Sequence, residues 1–568
     1  MKKNLSQCYI QRKTEFLRIP PIFFIMTDMF TLHTVPFDAM KGFSSLVQNF
    51  VANQEFRSAR FPNNDRLYER SYIEAAGQRV SNDQRQQIVS VIRSSMYGLT
   101  LSVAQEQSLK QLLDVSSVTI ITGQQPVVAG GAMYCAYKAM SAIDTARRLA
   151  EEHPDIAIVP VYWVEDNDHD IEEVSTAYTL DGDGQPHAIT IPTAHTVRHG
   201  IGDRVFGEEL SAVLADIRTW HGHSVPAIQA LVEQAYHKGG GFSEGFIRIL
   251  QELFADDGLV FVSSKQLRYA GLMQAVIAED ARVPHVTNTA LERGSAELVQ
   301  RGFHAQVQGA EVNFFIHDAI AGRVKVKQRT DKLFACGESA MTHQALCHDI
   351  AERPQAYSST VVIRPVIQDS VFPNLAYIAG PGELAYFAQF KEVYERFGMQ
   401  MPAILLRHTA TILPAKLWSA IEPIGGFSSV LCSSHELEFR LNQLMEEEEE
   451  IQFLRMQEST IMATFDKLHT HIEQIDSTLT ATAGATQTRV SQHIKHLIHK
   501  AIKAEKRKQT VVVQRIRQAS AWIYPTSSLQ ERSLSVLWAL HTFGVKGTKQ
   551  ILTQLVAKTN TAHHVLLV

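Results

Sequence analysis

Five ionisable side chains fall within six positions at Glu165-Asp166-Asn167-Asp168-His169-Asp170, directly after the apolar run Ile156 to Val164. Charges at the carboxyl end of a buried strand stand where open α/β sheets bind ligands. There His169 can act as a general base or steady a phosphate, while Asp168 and Asp170 can orient it or hold Mg2+. The plainer alternative is one Asp capping the next helix with the rest solvated. A second group is Thr122-Gly123-Gln124-Gln125 with Gly130 and Gly131. These lie between a strand and a helix, where free backbone N–H groups meet the positive end of the helix dipole and favour phosphate or carboxylate. The spacing is neither GxGxxG nor GxxxxGK[ST], so nucleotide binding is indicated without being specified. The same glycines also suit a tight turn and close helix packing. Lys138, on the following helix with Tyr134 and Tyr137, can reach a ligand or run to solvent, and Cys135 reads as a small core hydrophobe. Third, Arg364, Gln368 and Asn374 precede Gly380-Pro381-Gly382-Glu383, placing a guanidinium and amides near another dipole-positive loop. Arg364 there serves an anionic ligand or a structural ion pair.

These groups need strands that end beside one another. Val118 to Thr122 is a β-branched strand, Ala132 to Glu152 a helix, and Ile156 to Val164 a second buried strand about one βαβ unit later. Gly258 to Val262 follows the amphipathic helix Gly245 to Phe254. Leu375 to Ala379 and Pro402 to Leu406 complete the set. The alternation predicts an α/β fold with a doubly wound parallel sheet. Two stretches of different texture, about 171–240 and 284–360, read as insertions, with hairpin signals at 181–184 and at Phe314 to Lys327 around Gly322. From Ser433 to Ser520 the pattern changes. Ile461, Phe465, Leu468, Ile472, Ile475 and Leu479 recur in alternating four- and three-residue steps, a coiled-coil seam. A break over Thr480 to Thr488 predicts a long antiparallel helical hairpin, in which the acidic Glu446 to Glu450 and basic Lys500 to Lys508 runs either face each other or are solvated. The expected order is an extension over 1–29, a core over 30–432 holding both insertions, the hairpin over 433–520, and a helical segment over 521–568 packed on the core.

Composition sets the outer limits. Hydrophobic residues make up 45% and charged residues 20% of 568 positions, which excludes wholesale disorder and fibrous repeats. The net charge of −5 offers no field for nucleic acid or anionic lipid. The five cysteines, Cys8, Cys135, Cys336, Cys347 and Cys432, form no CxxC pair. That argues against a disulfide framework or structural zinc site and for a reducing cytoplasm. No apolar run approaches the roughly 18–20 residues needed to span a bilayer, and none of the basic residues before Ile19 leads into a signal-peptide cleavage site. Met26 and Met29 leave the first 25 or so residues as a tail or a start-site artefact.

In this order the segments resemble the cysteine ligase family of bacillithiol biosynthesis. The likeness rests on Ile121 to Gln125 with the Gly-Gly pair and Tyr137-Lys138, on Pro160 to Val164 with Asp168-His169-Asp170, and on Arg364 to Gln368. It continues through Leu375 to Tyr386, Lys391, the Arg407 strand and Leu529 to Arg532, from about residue 30 to the C-terminus. The family commonly shows Glu-Asp-His-Asp after the second strand where this chain has Asn167-Asp168-His169-Asp170. The resemblance implies a Rossmann-like core akin to nucleotidylyltransferases, two connecting insertions and a homodimer formed through the coiled coil. It also implies a ligase that joins cysteine to glucosaminyl malate as an amide, with ATP, and Mg2+ beside it, activating a carboxylate. In that picture Asp168, His169 and Asp170 are catalytic. Thr122, Gly123, Gln124, Gln125, Gly131, Tyr137, Lys138, Arg364, Gln368, Asn374, Gly380, Gly382 and Glu383 bind substrate or nucleotide. Two other classes are compatible with the residues: a nucleotidyltransferase making a sugar or cofactor nucleotide, and a non-catalytic coiled-coil scaffold with a ligand-binding core.

Overall fold

The computed structural model describes residues 31–568 apart from 41, 182–183, 192–198, 209, 222–225, 331–332, 338 and 447–448. The predicted sheet is present as five strands: β1 (Val118–Gln124), β2 (Ile158–Val164), β3 (Val260–Ser263), β4 (Asn374–Ala379) and β5 (Ala403–Leu406). Every pairing is parallel and the spatial order is β5-β4-β1-β2-β3. β2 and β4 are buried at every position, as near-continuous apolar strands covered on both faces must be. Helix α1 (Met133–Glu152) is the crossover from β1 to β2. Helices α2 (Arg364–Val371) and α3 (Pro381–Phe387) flank β4. The winding direction reverses between β1 and β4, which makes their carboxyl ends the switch point where a crevice opens in such sheets. Thr122 Oγ1 donates to the Ile378 carbonyl at 2.9 Å and closes the seam between these two strands.

The first stretch read as an insertion holds a hairpin, Thr176–Leu180 with Pro186–Thr190, and helices Leu210–His221 and Pro226–Ala235. Positions 182–183 of its expected turn lie outside the described residues. In the second, Phe314–Asp318 pairs antiparallel with Gly322–Lys325 around Gly322, whose φ of 74° is the left-handed turn that glycine permits. Tyr357–Ser359 adds to that pair, and Lys327–Thr330, Leu333–Cys336 and Ser339–Thr342 form a separate antiparallel sheet.

A second compact unit covers Leu413–Ser527. Its helices α4 (Glu449–Ile475) and α5 (Thr480–Ile523) form an antiparallel pair in which Asp466 accepts from Gln487, and the preceding helix Ser434–Glu446 reaches α5 through the Glu438–Arg517 pair. The expected break is displaced. Asp476 accepts from the Thr478 amide at 2.8 Å and starts the short turn Ser477–Leu479, so Thr480 to Thr488 is already helix, Gly484 included. Many side chains of the acidic and basic runs, and hence their pairing, lie outside the described residues.

Within the first unit the chain closes with α6 (Val536–Val556), which packs on α1, and with a strand at Ala562–Leu567 paired antiparallel to Thr31–Pro36. The closing segment is thus not all helical: His563 and His564 interrupt an apolar run that the strand buries. The 1–29 extension lies outside the described residues. Among the described residues, no helix is long and apolar enough to cross a membrane.

Candidate active site

A cavity of about 290 Å³ opens at the switch point. Gly123, Gln124 and Gln125 reach it from the end of β1, Trp163, Glu165 and Asp168 from β2 and the loop after it, and Tyr377 from β4. Arg364 comes from the first turn of α2, Glu383 and Tyr386 from α3, and Arg323 and Ser359 from the second insertion. The sequence thus brings six expected residues together here: Gly123, Gln124, Gln125, Asp168, Arg364 and Glu383.

Arg364 dominates the chemistry. Its residue is 8% exposed, its Nη1 donates to Gln368 Oε1 at 3.1 Å, and its Nη2 is buried with no hydrogen-bond acceptor. Gln368 is held in turn by Asp369, which also accepts from Asn374 at 2.8 Å and from the Tyr394 hydroxyl. Gln368 and Asn374 were expected to bind ligand. Both are fully buried behind Arg364, and they position its guanidinium instead. An unmet charged donor costs more than an ordinary unmet hydrogen bond, so Nη2 is set to receive a carboxylate or phosphoryl oxygen.

Glu165 lines the same cavity and accepts from Trp163 Nε1 and Ser264 Oγ, each at 2.9 Å. Burial pushes its carboxyl above the ordinary glutamate range, an effect that Arg364 and the Trp163 hydrogen bond offset only in part. A carboxyl in that state suits general acid and base work. Neighbouring Asp166 is committed to structure, accepting from Ser243, Ser263, Ser264 and the Lys265 amide. Asn167 likewise accepts from Arg268.

Asp168 accepts from Arg323 Nη1 at 2.8 Å and from Gln125 Nε2 at 2.9 Å. Burial alone would raise its carboxyl; the hydrogen bond to His169 and the Arg323 charge outweigh that and hold it well below the usual aspartate range. Arg323 Nη1 also faces His169 Nδ1 at 3.1 Å. The same Nδ1 stands 3.4 Å from Asp168 Oδ1. His169 lines a neighbouring cavity rather than this one, and Asp170 is exposed and lines neither. Among the described residues no group of three or more His, Cys, Asp or Glu side chains is placed to hold a metal ion.

The glycine turn departs from its expected role. A Cβ on Gly123 would lie 2.6 Å from the Trp163 carbonyl oxygen, on Gly130 2.5 Å from Ile249, and on Gly131 2.6 Å from Cys135 Sγ. Close packing of strand and helices fixes these glycines, and Gly131 does not reach the cavity. Thr122 is spent on the strand seam. Tyr137 is fully buried within α1, off the cavity. Lys138, 1% exposed, neither touches the cavity nor runs to solvent; it donates to the Gly123 carbonyl at 2.5 Å and pairs with Glu383. Glu383 also accepts from the Tyr377 hydroxyl and the Gly380 amide, each at 2.7 Å. Burial would raise its carboxyl, but the Lys138 charge outweighs this and keeps it ionised. The free amide expected at Gly380 is therefore taken by a carboxylate of the chain itself, and Gly382 stands in open space. Gly380 thus has no free amide to offer an anion.

Glu165, Trp163, Tyr377, Tyr386 and Arg323 line the cavity without being among the site residues expected from the sequence. Trp163-Glu165 at a strand end was a legible pair, since residues two apart in extended chain share a face. Arg323 was legible only as one of three alternating cations in Arg323-Val324-Lys325-Val326-Lys327.

Comparison with known proteins follows this division. The model of the BshC N-terminal Rossmann-like domain of bacillithiol biosynthesis matches residues 31–408, and that of the BshC C-terminal coiled-coil domain matches 428–568. Proteins named "putative cysteine ligase BshC" align along most of the chain. The Chlorobaculum tepidum protein is 27% identical over 89% of this chain and 93% of its own length. That of Salinibacter ruber is 28% identical over 77% and 80%, and that of Chlorobium phaeobacteroides 26% identical over 93% and 97%. With a parallel sheet in the order 3-2-1-4-5, a site at its switch point and a helical hairpin behind residue 413, the chain belongs to the BshC family of bacillithiol biosynthesis.

Proposed function

We propose that this protein is a cysteine ligase that joins the carboxyl group of L-cysteine to the amine of glucosaminyl malate, forming an amide in the last step of bacillithiol biosynthesis. The observation that supports this most is that Arg364, whose buried Nη2 has no hydrogen-bond partner, lines the same cavity as Glu165. Cysteine bound by its carboxylate on Arg364 stands beside a carboxyl group able to take a proton from an incoming amine. A free carboxylate is a poor electrophile, and ATP with Mg2+ on its phosphates supplies the activation when bound. The chain's residues fit an anionic oxygen of such a group at Arg364, but the packed glycines do not form a phosphate cradle. Arg364 orients and neutralises, Glu165 moves the proton, and Asp168 with Gln125 holds Arg323 in place.

The test supplies ATP, L-cysteine and glucosaminyl malate and identifies products by mass. The expected product is the cysteinyl amide with one ATP consumed per amide. A nucleotide-linked sugar in its place establishes the nucleotidyltransferase reading, and no product with any of these substrates supports the scaffold.

The assembly proposed is a homodimer through α4 and α5. Leu468 and Leu497 remain 50% and 68% exposed in the single chain, and Ile461 and Ile475 on the same seam are also exposed. A second copy would cover them. Sedimentation equilibrium is expected to give twice the 63.5 kDa chain mass, and Leu468→Glu with Leu497→Glu to give the monomer. A monomeric parent protein refutes this assembly.

A further inference from the structure

A second cavity of about 430 Å³ lies beside the first, where the chain leaves one small sheet at Lys325 and enters another at Lys327. Extended backbone puts alternate side chains on one face, and Arg323, Lys325 and Lys327 all line this cavity with His169 and Phe315. Arg323 is already committed. It donates to Asp168, to Ser358 Oγ at 3.2 Å and to the Ser359 carbonyl at 3.1 Å, and its guanidinium stacks 3.7 Å over Phe315. Asp168 offsets its charge. Lys325 and Lys327 form no ion pair with any described residue. The cavity is lined by no described carboxylate, and Asp318 in the adjoining turn is engaged by the amides of Ile320 and Ala321. Among the described residues no carboxylate pairs with Lys325 or Lys327, so two cationic side chains stand unpaired on the wall of a concave space.

We infer that this cavity binds a group bearing at least two negative charges on oxygen, either paired carboxylates or phosphates. This rests on the ligase reading and deepens it. Arg323 borders both cavities, so an anion seated on Lys325 and Lys327 lies next to whatever Arg364 holds, as the two parts of one reaction require. The two sources are the dicarboxylate end of the acceptor and the phosphates of the nucleotide.

Calorimetric titration of the full-length protein with L-malate, inorganic pyrophosphate and L-cysteine tests the inference. The Lys325→Gln/Lys327→Gln protein is expected to lose at least about tenfold in affinity for malate or pyrophosphate while cysteine binding stays within about twofold. The Lys325→Arg/Lys327→Arg protein is expected to retain affinity, and binding to the parent protein to weaken with salt. Loss confined to malate assigns the site to the acceptor, and loss confined to pyrophosphate assigns it to the nucleotide. Equal binding of both anions by the parent and Gln proteins overturns the inference, as does a parent protein that binds neither. Because these titrations need no turnover, a failed ligation assay alongside charge-dependent anion binding removes the ligase reading alone.

Discussion

Replacing Arg364 by Ala is expected to lower kcat/KM for amide formation by about 10²- to 10³-fold, the scale seen when one charged donor is removed from a preorganised site. The buried Nη2 is the cavity's unmet cationic donor, and Gln368, Asp369, Asn374 and Tyr394 are spent on holding that guanidinium still. Arg364→Lys keeps the charge but loses the fork that bonds Gln368 and a ligand together, so it should recover only part of the rate. Gln368→Leu, which leaves the charge and removes its orienting partner, should show a smaller loss. Steady-state rates by product mass check this, with circular dichroism to confirm folding. Turnover of a folded Arg364→Ala protein within about twofold of the parent would remove Arg364 from the mechanism.

The largest effect on stability is expected at Glu531. Its carboxylate meets Arg407 through two hydrogen bonds of 2.8 and 2.9 Å, and the two residues are about 1% and 2% exposed. It also accepts from the Ala410 amide at 3.2 Å. Glu531→Ala leaves the Arg407 charge buried and unpaired, which costs about 3–5 kcal/mol. Replacing both partners with apolar residues, as in Arg407→Met with Glu531→Leu, should restore most of that. Burial alone would raise the Glu531 carboxyl, but Arg407 outweighs it and holds the folded value below the usual 4.5. A depressed folded pKa gives stability that is present above the unfolded pKa and lost as pH falls through the folded one. The parent protein should therefore lose this contribution only below about pH 4, while Glu531→Gln shows a flatter profile there. Urea midpoints against pH measure both effects. A Glu531→Ala midpoint equal to the parent's would show that the pair contributes nothing.

Arg407 and Glu531 also show how far the chain could be read before its structure. Each belongs to a segment that carries the family likeness, yet 124 positions separate them and nothing local indicates that they meet. The same holds at the cavity. Asp168 and Arg364 were legible because each follows a recognisable element, a buried strand or a helix start. Arg323 sits on a hairpin within an insertion, and only tertiary folding brings that hairpin over the end of β2. Gly131, Tyr137 and Lys138 were misread for the opposite reason. Their types suit a ligand loop, but Gly131 packs against Cys135 and Phe246, Lys138 pairs with Glu383, and Tyr137 is fully buried off the cavity.

The succession of strands and helices along the chain and the change to heptads after Ser433 follow from local patterns: apolar runs of strand length, the glycine and proline punctuation between them, and period-3.5 seams; the spatial order of the strands, and with it the switch point, does not. Such patterns fix the type and sequence of elements because backbone hydrogen bonding and side-chain periodicity act over a few residues. Folding in three dimensions settled which polar groups keep a free valence. Lys138 lost its own to Glu383 and Gly380 to a capping carboxylate, while Arg364 kept one. Whether a donor is satisfied depends on partners far away in sequence, so a donor type at a good position becomes a site only where packing leaves it unmet.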